Sequence, residues 1–116
     1  NTPQQALVLL NDPIYVEAAR VFSQKLMIAG GDTSAGRINW AYRRLLGREA
    51  EGWELETLTR LYEKQLAGFR KNKDAAGKLV AVGEYPLAGE LAAEELAAWM
   101  SVTRVLLNLH ETITRY

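Results

Sequence analysis

Apolar positions along this chain recur at helical spacing, and no segment shows the strict alternation of a half-buried strand. Thr2-Pro3-Gln4-Gln5 reads as an N-cap, a proline at the first helical position and a capping-box glutamine, which opens a short helix through Leu10. Asn11-Asp12-Pro13 stops that helix and starts a second one, from about Pro13 to Ala29. In the second helix Ile14, Ala18, Val21, Phe22, Lys25 and Leu26 trace one face, which predicts that this face is buried. Gly30-Gly31 ends it, and Asp32 or Thr33 caps a third helix running to about Leu46. There Ile38, Ala41, Tyr42, Leu45 and Leu46 fall on one side, and Gly47 is the expected stop.

A fourth helix is predicted from near Glu51 to about Arg70, with Leu55, Leu58, Tyr62, Leu66 and Phe69 as its stripe. Acidic residues crowd its start and basic ones its end, as the helix dipole favours. Asp74 is the expected cap of a short fifth helix, about Ala75 to Val82, closed by Gly83. Glu84 to Gly89 reads as a loop. The last helix, about Ala92 to Thr112, carries two apolar faces. One is Leu96, Trp99, Thr103, Leu106, Leu107 and His110; the other is Ala98, Val102, Val105 and Leu109. A helix apolar on most sides is normally surrounded by others. The expected fold is therefore all-α: a compact bundle of five to six helices with the last one central, formed by residues 1–116 as a single helical domain.

Composition narrows the function more than it defines it. Fourteen basic residues balance fourteen acidic ones. The basic excess that releases counterions from nucleic-acid phosphates is missing, so no nucleic acid is expected as a partner. No apolar run exceeds five residues, far below the roughly 20 that a membrane span needs. The absence of cysteine removes disulfides, thiolate chemistry, cysteine-based zinc sites and covalent haem attachment within these residues. The chain opens at Asn1 without a starting methionine, which suggests a fragment of something longer.

Each group with chemical potential has a structural role that accounts for it. Asp12, Asp32 and Asp74 all stand where a helix start needs a cap, which leaves no aspartate for acid–base work. His110, the only histidine, has just Glu111 adjacent, which points elsewhere around the helix. Glu90, Glu94 and Glu95 suit the first turn of the last helix, and Arg43, Arg44 and Arg48 suit the end of the third. Gly30-Gly31-Asp32-Thr33-Ser34 matches neither the P-loop nor the dinucleotide fingerprint. The reading is of no catalytic, cofactor or metal site in this segment. What remains is surface. Trp40 lies off the main stripe of its helix and Trp53 sits in a first turn, so these two, with Arg43 and Arg44, are the candidate interface residues. Trp99 is expected in the core.

Several stretches carry a family resemblance. Thr2-Pro3-Gln4-Gln5-Ala6-Leu7-Val8-Leu9-Leu10-Asn11-Asp12-Pro13 is similar to a segment of domain-of-unknown-function family 1553. Ala41 to Glu49, with its Leu46-Gly47-Arg48-Glu49 turn, resembles a second segment. Val82-Gly83-Glu84, Glu95 to Trp99 and Leu106 to Arg115 resemble its closing portion. Ala50-Glu51-Gly52 departs from the Pro-Thr or Pro-Ser of most relatives, and His110 stands where many carry an acid. The resemblance implies the C-terminal part of a large, exported, multidomain protein of planctomycete-type bacteria, in the periplasm or otherwise outside the cytoplasm. It implies a c-type haem in an upstream domain, and upstream domains of the same polypeptide, or a protein partner, as the surfaces this segment packs against. It supplies no catalytic residue. Two functions follow as expectations: a non-catalytic structural or interaction module, or an accessory part of an enzyme acting on complex polysaccharides whose reactive groups lie elsewhere.

Overall fold

The computed structural model of the chain describes residues 13–81 and 91–115. Among the described residues are five helices and no strand: α1 (Pro13–Ala29), α2 (Ser34–Leu46), α3 (Gly52–Lys71), α4 (Lys73–Val80) and α5 (Ala93–Arg115). The expected helix from Thr2 to Leu10, the Asp12 cap, Glu90, the Gly83 stop and the Glu84–Gly89 loop lie outside the described residues.

The last helix is central, as its double apolar face predicts: α5 packs against each of the other four. Leu96, Ala97, Ala98, Trp99, Met100, Val102, Thr103 and Leu106 are all buried, so its first half is enclosed on nearly every side. Val105 and Leu109 are partly open, so the cover thins toward its end. Trp99 is fully enclosed and stacks on Tyr62 of α3 at 4.1 Å between ring centroids. Around this contact gather Leu26 of α1, Ile38 and Tyr42 of α2, Leu58 of α3, and Ala76 and Val80 of α4.

The helix boundaries follow local chemistry. Thr33, rather than Asp32, caps α2: its Oγ1 accepts from the Gly36 amide at 3.0 Å. Gly47 ends α2 with φ 72°, a left-handed conformation that suits a residue without Cβ. At α4 the expected cap is corrected. Asn72 Oδ1, not the Asp74 carboxylate, accepts from the Ala75 amide at 3.1 Å, while the Asn72 amide donates to Gly68 O at 3.0 Å and closes α3. One asparagine thus ends one helix and starts the next, which leaves no room for a linker. Asp74 lies in the first turn of α4, exposed, where it pairs with Lys78 at 3.3 Å.

The turn between α1 and α2 is closed by Arg37. Its guanidinium donates to Gly31 O at 2.8 Å and to Met27 O at 3.2 Å, so that it satisfies carbonyls the end of α1 leaves open. A Cβ on Gly30 would fall 2.6 Å from Leu26 O and 3.1 Å from the Arg37 Cα. Gly30→Ala is therefore expected to destabilise the fold by about 1–3 kcal/mol, read as a shift of the urea midpoint with unchanged slope.

The largest difference from expectation is in α1. Of the face traced by Ile14, Ala18, Val21, Phe22, Lys25 and Leu26, only Leu26 is fully buried. The helix turns its opposite side inward, with Val16, Ala19, Arg20, Ser23, Gln24 and Met27. Ala19 and Ser23 are small, which lets the two backbones approach. The polar members of this side are satisfied there: Ser23 Oγ donates to Thr103 Oγ1 of α5 at 2.8 Å, and Arg20 donates to Gln24 Oε1 at 2.8 Å.

Candidate functional site

The candidate interface residues sit at and beside the corner between α2 and α3. The α2 helix ends at Gly47, and α3 begins at Gly52. The Asn39 side chain reaches along α2 to accept from the Ala50 amide at 2.9 Å. Arg43 pairs with Glu49 at 2.7 Å across the same turn, with both side chains largely in solvent. Such an exposed pair contributes little to stability.

Beneath this surface lies a firmer lock. Arg48 grips Glu54 with both terminal nitrogens, at 2.8 and 3.0 Å, the paired geometry that fixes a carboxylate plane. The same Glu54 carboxylate accepts from the Glu51 amide at 2.8 Å, which anchors the first turn of α3. The Arg48 guanidinium also covers the ring of Tyr42, 5.3 Å from its centroid. Glu54 is held down to a pKa of about 2, chiefly by the hydrogen bonds from Arg48, against the opposing effect of burial. Tyr42 is pushed up to about 12, first by burial and then by the Glu54 charge beside it. A perturbed carboxylate, phenol and guanidinium in one place is the pattern often found at catalytic sites. Here the perturbations arise from burial of Tyr42 and from the contacts among Arg48, Glu54 and Tyr42 that hold the corner together.

The four candidate residues differ in what they offer. Trp53 stands on the first turn of α3 with 67% of its surface exposed. Its carbonyl accepts from Thr57 Oγ1 at 2.7 Å, so the backbone beneath the indole is braced. Trp40 is half-buried: Phe22 of α1 lies 5.3 Å away at a tilt of 51°, and the Arg44 guanidinium lies 4.8 Å from its ring centre. Arg44 is thus laid on an aromatic face, Arg43 is tied to Glu49, and Trp53 is the large apolar surface presented outward at this corner.

Other groups raised by the sequence are dispersed. Asp32 and Asp74 are exposed on separate turns, Glu94 and Glu95 are half-buried at the start of α5, and His110 is half-buried toward its other end. Among the described residues no three His, Cys, Asp or Glu side chains come together as metal ligands, and no helix is long and apolar enough to cross a membrane. The Arg48–Glu54–Tyr42 lock was not legible in advance, because Glu54 reads equally well as one more acid near a helix start. The available signal was its place three residues after the cap and six residues after an arginine in the preceding corner.

These features define a helical bundle whose polar side chains cap helices, fasten the turns between them and pair within a helix, with an aromatic residue held outward at one corner. Residues 1–62, just over half of the chain, match the family described as protein of unknown function (DUF1553), and the chain belongs to that family. The match takes in the Thr2–Pro13 segment and the corner with its lock; α4 and α5 lie beyond it. No curated protein and no solved structure matches the chain.

Proposed function

We propose that this chain is a non-catalytic structural and interaction module, the closing helical domain of a large multidomain protein that works outside the cytoplasm of a planctomycete-type bacterium. In this reading it packs against upstream domains of its own polypeptide. The observation that carries the proposal is Trp53: a large aromatic surface exposed on a braced turn, next to an arginine-rich corner. Tryptophan and arginine are the residues most enriched at the centres of protein interfaces. The strongly perturbed groups nearby support the same reading, because the Arg48–Glu54 pair fixes the corner that presents Trp53. The c-type haem that the resemblance implies is assigned to an upstream domain, since these residues include no cysteine to attach one.

The test is calorimetric titration of this chain with the separately produced upstream part of the same protein. Binding is expected, and Trp53→Ala should weaken it at least ~10-fold while the helical circular dichroism stays unchanged. The absence of binding, or binding that ignores Trp53, would overturn the reading. A panel of oligosaccharides titrated alongside separates the accessory-enzyme alternative: saturable sugar binding lost on Trp53→Ala would make the indole a sugar platform instead.

A further inference from the structure

We propose that the outward face of α1 is the seam of a symmetric dimer of this chain. The inference extends the interaction reading to a second surface with a different occupant, and it does not use Trp53. The face is the one that periodicity marks as apolar and that the bundle leaves open. Ile14 is 78% exposed and Ile28 is 68% exposed, with Val21 midway between them. Seven-residue spacing places all three along one line of the helix, as in the seam of a coiled coil. Ala18 beside them is small and exposed, and a shallow groove runs along the face, bounded on its far side by Leu107 of α5.

The charges on this face choose the occupant. Glu17 and Lys25 border the groove, four residues before and four residues after Val21. Ile14 and Ile28 stand seven residues before and after the same residue. The face is therefore a palindrome about Val21 in which the charged pair has opposite signs. A two-fold axis at Val21, with the two helices antiparallel, sets Ile14 against Ile28 of the partner subunit, Val21 against Val21 of the partner subunit, and Glu17 against Lys25 of the partner subunit. A closed dimer needs this kind of self-complementary surface, since every contact must occur twice. The seam would run about 21 Å from one isoleucine to the other.

Sedimentation equilibrium on the full chain provides the test. At tens to hundreds of micromolar it should give twice the 13.0 kDa of one chain. Val21→Glu, which puts two carboxylates face to face on the axis, should leave only monomer. Glu17→Lys and Lys25→Glu should each weaken association at least ~10-fold at low salt, and the double swap in one chain should restore it. Trp53→Ala should leave the dimer untouched. Circular dichroism of each variant checks that the helices remain. A monomer at every concentration would overturn the proposal, as would indifference to Val21→Glu or a double swap no better than its singles. Those outcomes would leave the Trp53 reading standing, since its titration uses a different surface.

Discussion

Replacing Trp99 by alanine is expected to cost the fold about 3–5 kcal/mol, the range for removing a fully enclosed large aromatic residue. The magnitude follows from position. Trp99 has no exposed surface, it is the largest of the fully buried side chains, and its ring lies flat on Tyr62 in the α3–α5 contact. It also lies beneath the Arg37 guanidinium, 5.9 Å from its centroid, so the residue that closes the α1–α2 turn rests on the same ring. Truncation would leave a void that four converging helices cannot easily collapse into. Urea unfolding followed by circular dichroism measures the effect. Trp53→Ala in the same assay is expected within about 0.5 kcal/mol of the parent, because its indole faces solvent. Equal effects at the two positions would show that α5 is not the centre of the core.

The second large effect is expected at Glu54. Glu54→Gln removes the charge that Arg48 grips and weakens the anchor on the Glu51 amide. A cost of about 2 kcal/mol is expected near neutral pH, within the range for a hydrogen bond to a charged group and kept to its lower half because Arg48 is half open to water. The pH dependence identifies the cause. Glu54 titrates at about 2 in the folded chain against an ordinary 4.5. A carboxylate depressed in this way binds fewer protons folded than unfolded, so its contribution is complete above about pH 5 and is lost as the pH falls toward 2. The stability difference between the parent and Glu54→Gln should therefore be flat from pH 5 to 8 and shrink steadily between pH 4.5 and 2. A difference independent of pH across that window would assign the cost to packing instead of charge.

These two residues also show how unevenly the sequence reveals the structure. Trp99 and the central place of α5 are legible because a helix apolar on two faces has few alternatives. The end of α2 is legible because Gly47 adopts the left-handed conformation that its position demands. Near Asn72 the sequence offers two good caps two residues apart, and local rules cannot choose between Asn72 and Asp74. What decides is the need to close α3 with the same residue. In α1 the periodicity identifies an apolar stripe correctly but not its direction. The bundle takes in the side with Ala19 and Ser23, where Thr103 of α5 supplies a hydrogen-bond partner, and leaves Ile14 and Ile28 outside. Periodicity measures how apolar a face is, whereas shape and hydrogen-bond partners decide which face is used. The Arg48–Glu54 lock was hidden for a related reason: a contact across a corner depends on the path of the chain, and no spacing rule for a single helix reports it.

Amide hydrogen exchange along α5 tests the central claim most directly. If the bundle is organised around the enclosed half of this helix, the amides from Leu96 to Leu106 should be the slowest in the chain, opening only with global unfolding, and those from Leu107 to His110 should exchange faster. Slowest exchange in α1 or α3, with α5 fraying along its whole length, would contradict it.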